Sequence, residues 1–206
     1  MILHDYRRCP FCIRVRIVLH LKMIPYQAIH EPLREWTNWM RDNIDKPKVP
    51  MLRVLDERGI ETVIPESNDI NVWLDSNFGE KRFIPDIESK EYKEMLEWWS
   101  WCGDIFKHQI DLFKYGENRV FNEEKHLIHL ENLKKMIQKI EESLIDDYLL
   151  GNNMTLADIA IIPFIRQIMR TRNGEFDFSS YPKVKTWSGR ILEQDWFNNV
   201  VMAKHN

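Results

Sequence analysis

The stretch Tyr6-Arg7-Arg8-Cys9-Pro10-Phe11-Cys12 (YRRCPFC) decides how the rest of the chain is read. Before it stands a short apolar run, MILHDY, with room for one β-strand. After it, Ile13, Ile17, Val18 and Leu21 recur at helical spacing, with Arg14 and Arg16 on other faces. Two cysteines two residues apart at a strand-to-helix junction fit a redox centre, half of a metal site or chance composition. Pro10 suits the first helical position, where its missing N–H costs nothing. Cys9 then becomes the N-cap, its sulfur facing unsatisfied backbone N–H groups and the positive end of the helix dipole. Arg7 and Arg8 add positive charge. Thiols in such places titrate at roughly 3.5–7.5, so Cys9 is expected to be largely thiolate at neutral pH. Cys12 lies one turn deeper, a candidate resolving thiol for a mixed disulfide on Cys9.

A metal site needs about four ligands, usually from a second close Cys or His pair. The chain has three cysteines, and the third, Cys102, falls in an apolar stripe. His126 and His129 are three apart, but nothing connects them to Cys9. The expectation is thiol chemistry without a metal.

Further along, YQAIHE reads as a second strand and REWTNWMRDN as a short helix. KVPMLRVL and ETVIPES are strand-like and joined by the turn DERG, a hairpin pattern. SNDINVWLDSNFG follows as a helix. A cis bond before Pro50, with a prior of about 5–6%, would turn the Val49 backbone outward to meet an extended peptide. Ser67 opens the next helix, either as its cap or as a hydroxyl at a carboxylate site. Glu66 beside it is placed to pair with an amino group.

EKRFIPDIES marks a boundary, and all beyond it reads as helix. Met95, Trp99, Cys102 and Phe106 form one stripe; Leu127, Leu130, Leu133, Ile137, Ile140 and Leu144 form another. Trp98, Trp99 and Trp101 cannot all face inward, so one is free to line a ligand cleft. MTLADIAIIPFIRQIMR is apolar on nearly every side, as in a buried helix, and Thr155 with Asp158 makes a capping-box pattern. YPKVKTWSGRIL is a last amphipathic helix. With 206 residues, 44% hydrophobic and 30% charged, the chain has material for one or two cored domains. A formal net charge of -3 argues against nucleic acid or anionic membranes as general partners. No run approaches a membrane span of about 20 apolar residues, and free cysteines with no leader-like start point to the cytoplasm.

In order and spacing, CPFC, VPML, IPES, NMTLADIAIIPFIR and YPKVKTWSGRIL resemble the glutathione transferase superfamily over essentially the whole chain. The dithiol looks most like two-domain glutaredoxins, and CPFCIRVRIVLHLKMIPYQ is also similar to cysteine-type omega transferases and dehydroascorbate reductases. The resemblance implies an α/β thioredoxin-like domain with a mixed four-stranded sheet over 1–78, a linker over 79–88 and an all-α domain over 89–206. It implies Cys9 as nucleophile and Cys12 as its partner. Glutathione, as co-substrate, would be held by Phe11, Lys48, Val49, Pro50, Glu66 and Ser67. Val49 next to a cis Pro50 would take the cysteinyl backbone, Glu66 and Ser67 the γ-glutamyl end, and Lys48 the glycyl carboxylate. The implied activity is glutathione-dependent thiol transfer to small-molecule or protein disulfides, by a monomer or homodimer. The alternatives are conjugation of electrophiles, which would give Tyr6 a possible part, and a non-enzymatic binding role. With Cys9 three residues on, Tyr6 reads as a packing residue.

Overall fold

The computed structural model describes residues 1–32 and 34–203. The chain divides into two compact units, residues 1–82 with 195–203, and Phe83–Gln194.

The first unit is built on four strands, β1 (Ile2–Asp5), β2 (Gln27–His30), β3 (Met51–Leu55) and β4 (Glu61–Pro65). Their order in the sheet is β2-β1-β3-β4. β1 and β2 run parallel with Leu3 opposite Ala28. A parallel pair needs a crossover, and α1 (Pro10–Leu21) supplies it. β3 is antiparallel to β1, Leu3 facing Leu52, and to β4, Leu52 facing Ile64. The hairpin closes through Asp56–Gly59, where the Asp56 carboxylate accepts from the N–H groups of Arg58 and Ile60 and Gly59 takes φ 79°. The helices α2 (Asn38–Asn43) and α3 (Ser67–Asn77) complete the α/β order.

Arg14 and Arg16, on other faces of α1 than the apolar row, are nonetheless buried, 2% and 1% exposed. Every residue from Cys12 to Leu19 is buried, because α1 packs against α3 on one side and the C-terminal turn on another. That turn, a π-helical segment Phe197–Val201, belongs to the first unit, although helix periodicity alone groups it with 89–206. Trp196 stacks on His20 of α1, ring centroids 4.5 Å apart. Lys22, just past α1, is buried against Asp75 and the carbonyls of Phe78 and Lys81, tying the end of α3 to α1.

The second unit is all helical: α4 (Lys90–Ser100), a π turn (Trp101–Phe106), α5 (Lys107–Tyr115), α6 (Glu123–Ser143), α7 (Leu156–Arg170) and α8 (Pro182–Leu192), with short 3₁₀ turns between. The buried stripe of α4 and the π turn runs through Met95, Trp98, Cys102 and Phe106, so Trp98 takes the place expected for Trp99. The Trp99 indole N–H needs an acceptor and finds the Leu156 carbonyl at 3.1 Å, which holds this ring at the margin. Trp101 stacks on Phe106, and Lys139 covers both Trp98 and Trp101. All three tryptophans therefore have partners within the helical unit.

The face of α6 is also shifted from its apolar reading. Leu127 is 58% exposed, while His126 and His129 continue the buried row of Leu133, Ile137 and Ile140. Four residues before Leu133 comes His129, and three before that His126, so both continue the same helical face although their letters are not apolar. His126 stacks on Phe113 and bonds Glu175 at 2.6 Å. The capping box of α7 is present as expected, Thr155 and Asp158 capping each other's backbone N–H groups. No helix among the described residues is long and apolar enough to cross a membrane.

Candidate functional site

The sheet registers bring the sequence-predicted residues of the first unit to one end of it. β1 ends at Asp5, four residues before Cys9. β3, opposite it, begins at Met51, one residue after Pro50. Met51 faces Pro65, the last residue of β4, so Glu66 and Ser67 emerge at the same end. The Val49–Pro50 bond is cis, and the ladder of β3 begins beyond Val49.

Cys9 is the residue before α1, with Pro10 at the first helical position. Cys9 is partly exposed, whereas Cys12 is wholly buried. The Cys9 pKa is lowered to about 7, first by the Cys12 thiol bonding to its sulfur and then by the N–H groups of Cys12 and Phe11; burial and the Asp5 charge work against this. The sulfur makes no cap hydrogen bond of full geometry, so the helix end acts on it chiefly through the field of those amides. The expected help from Arg7 and Arg8 is not among the leading causes. Arg7 donates to the Met202 carbonyl, and Arg8 donates to the Tyr6 hydroxyl at 3.1 Å. Cys12 moves the opposite way: burial, then the adjacent Cys9, pushes its pKa well up. The two thiols are thus unequal: one is half ionised at neutral pH and reachable, the other protonated and enclosed.

Tyr6 behaves as a packing residue. Its ring stacks on His30 with centroids 5.6 Å apart, and its backbone N–H donates to the Cys12 sulfur at 3.4 Å. The loop holding it is fixed by Arg16, which donates to the Arg7 carbonyl at 2.5 Å and pairs with Asp5 at 3.2 Å, both side chains fully buried.

At the second corner, Ser67 opens α3 and is 3% exposed. Glu66 before it stands at φ 68° and ψ 131°, a backbone region costly for a residue with a Cβ and characteristic of functional sites. The Glu66 carboxylate pairs with Lys48, both side chains about half exposed. Exposed pairs of this kind contribute at most about 1 kcal/mol, so either group is cheaply diverted to another partner. Arg14 reaches Ser67 from α1, donating to its Oγ at 3.3 Å and to Asn68 Oδ1 at 3.4 Å; its guanidinium also lies 4.8 Å above the centre of the Phe11 ring.

Motif and periodicity assign no site role to Arg14, Arg16 or Asp5. A signal for the two arginines was present. In IRVRIVLHL nearly every neighbouring position is apolar, so the helix has little polar face on which to put them.

The glutathione S-transferase N-terminal domain family matches residues 3–82, and the C-terminal domain family matches residues 105–195. The chain belongs to the glutathione transferase superfamily. A pyrimidodiazepine synthase of Drosophila melanogaster is 33% identical over 94 residues, which span 46% of this chain and 38% of that protein. A probable maleylacetoacetate isomerase of Vibrio cholerae is 24% identical over 93% of this chain and 90% of its own length. Among solved structures, FzlA from C. crescentus superposes with a TM-score of 0.84 at 20% identity, over 98% of this chain and 92% of that one. A glutathione transferase family member from Pseudomonas fluorescens with two glutathione bound superposes at 0.80 with 18% identity, over 98% and 92%.

Proposed function

We propose that the protein is a glutathione-dependent thiol transferase whose nucleophile is Cys9. The observation that carries this reading is the unequal pair: a partly exposed Cys9 with a pKa of about 7 beside a buried, protonated Cys12. A thiol with its pKa near ambient pH combines a large thiolate fraction with good nucleophilicity.

In the reaction, the Cys9 thiolate attacks the glutathione sulfur of a mixed disulfide. The new bond joins Cys9 to glutathione, the old S–S bond breaks, and the substrate leaves as a thiolate that takes a proton from water. A second glutathione thiolate then attacks the glutathione sulfur on Cys9, releasing glutathione disulfide and restoring the Cys9 thiolate. In the dithiol branch Cys12 loses its proton and attacks Cys9, so that glutathione leaves and a Cys9–Cys12 disulfide forms. Two further glutathione molecules reduce that disulfide.

Glutathione lies extended in this reading. Its cysteinyl backbone meets Val49 at the cis Pro50, its sulfur faces Cys9 and Phe11 borders it. Ser67 and the first amides of α3 receive the γ-glutamyl carboxylate, and Glu66 pairs with the γ-glutamyl amino group. Lys48 exchanges Glu66 for the glycyl carboxylate. The superfamily membership and the glutathione-bound relative support a ligand of this kind. Cytoplasmic placement fits free thiols.

The competing reading is addition of glutathione to an electrophile or isomerisation through such an adduct; similarity to the probable isomerase favours it. The two differ in which sulfur must be activated. Cys9→Ser should abolish reduction of a glutathionylated disulfide, yet it can keep conjugation, since a hydroxyl stabilises a glutathione thiolate. Wild-type reduction rates in Cys9→Ser would refute thiol transfer by Cys9.

A further inference from the structure

A serine hydroxyl has one proton to donate and two lone pairs to accept with, whereas a guanidinium only donates. The 3.3 Å bond from Arg14 to Ser67 Oγ therefore settles which way the hydroxyl works: one lone pair is taken, and the proton is left to point away from Arg14. The neighbouring bond to Asn68 Oδ1 does the same for that amide, engaging its oxygen and leaving its NH₂ to donate elsewhere. Ser67 is also the first residue of an 11-residue helix, whose opening N–H groups have no partner within the helix. A buried cation thus converts an amphoteric corner into one made of donors, backed by positive charge. A carboxylate meets complementary groups there; an amide or an alkyl group does not.

We propose that Arg14 is a positioning residue that makes the Ser67 corner selective for a carboxylate, acting through Ser67 rather than by touching the ligand. This rests on the glutathione reading above and assigns the γ-glutamyl α-carboxylate as the group selected. Two features separate this role from mere packing. Arg14 is 2% exposed, and a guanidinium stays protonated in proteins, so its charge acts on Ser67 at low dielectric, where its field is strong. It also spans from the Cys9 helix to the Ser67 helix, with Phe11 beneath it, so one side chain sets the spacing between the two halves of the site.

The test compares glutathione with γ-aminobutyryl-cysteinylglycine, which lacks only the γ-glutamyl α-carboxylate and keeps its amino group. Dissociation constants are measured by calorimetry for wild type, Arg14→Gln, Arg14→Lys and Ser67→Ala. Wild type is expected to prefer glutathione strongly. Arg14→Gln should weaken glutathione about tenfold or more, the scale of one charge-assisted hydrogen bond, and leave the analogue nearly unchanged. In turnover the loss should fall on KM, not on kcat. Arg14→Lys should recover part of the preference. Ser67→Ala should lose it with Arg14 intact, which covers the case of Arg14→Gln failing to fold. Equal weakening of both ligands by Arg14→Gln, or full preference in Ser67→Ala, would overturn the proposal while leaving the glutathione reading in place. Failure of wild type to bind glutathione would remove that reading, and this inference with it.

Discussion

The backbone N–H of Tyr6 donates to the sulfur of Cys12 across 3.4 Å, holding the buried thiol at the base of the loop that carries Cys9. Cys12 lowers the Cys9 pKa more than any other group, and in the proposed reaction it is also the thiol that would attack a mixed disulfide there.

These roles separate under mutation. Cys12→Ala removes the donor, so the Cys9 pKa should rise above its value of about 7, measured by thiolate absorbance against pH. Cys12→Ser retains a donor and should move it less. Both variants should reduce glutathione mixed disulfides and fail on protein disulfides that need a second thiol. Equal pKa values in wild type and Cys12→Ala would show that the helix amides suffice.

The pH dependence has a defined sign. Alkylation of native Cys9 by iodoacetamide should rise with a midpoint near 7, against 9.0 for an unperturbed thiol. Because the folded value is the lower one, the native state holds fewer protons between pH 7 and 9, and stability from this group rises with pH across that window. It is complete above 9 and lost as pH falls through 7. Two pKa units correspond to about 2–3 kcal/mol. Cys12, pushed up, remains protonated where the unfolded thiol ionises, and so opposes further gain above pH 9. Urea melts of wild type and Cys9→Ala at pH 6.5 and 8.5 check this; a difference that does not grow at the higher pH would contradict it.

Asp158 is the main polar anchor of the helical unit. Its carboxylate accepts from the Leu149 and Thr155 N–H groups, the Thr155 hydroxyl and the Trp187 indole N–H. Asp158→Ala loses the cap and strands buried donors, at a cost of about 3–5 kcal/mol in urea unfolding; Asp158→Asn should cost less. Burial raises the Asp158 pKa despite those donors. The folded state therefore takes up its proton at higher pH than the unfolded one. The wild-type advantage over Asp158→Ala should grow, not shrink, as pH falls through that raised value.

At Glu66 a trade between stability and binding is expected. Its φ of 68° suits glycine better than glutamate. Glu66→Gly should leave stability unchanged or raise it by up to about 1 kcal/mol, while KM for glutathione rises about tenfold. Glu66→Ala should show the same KM without the relief. A destabilised Glu66→Gly would mean that the side chain, and not the strained backbone, dominates there.

Periodicity and turn chemistry alone locate the strands, the hairpin at Asp56–Gly59 and the capping box at Thr155 and Asp158. These are local features: each depends on neighbours within a few residues, so the letters suffice. Cys9 is likewise marked by its own surroundings, a cysteine before a proline at a helix start. Where the structure departs from periodicity, the cause is non-local. Trp98 rather than Trp99 joined the core because the Leu156 carbonyl lies beside Trp99. His126 was buried because Glu175 and Phe113 wait for it.

What the amino-acid sequence determined by itself was the order of elements and the identity of the thiolate, since helix ends and hydrophobic periods act over a few residues. Only the tertiary structure decided how that thiolate is tuned and what stands opposite it. Cys12 is its largest pKa influence through contact, and Arg7 and Arg8 turn to other partners. Arg14 meets Ser67 across 53 positions of chain. A buried charge finds its partner by packing, and packing is not written at either residue alone.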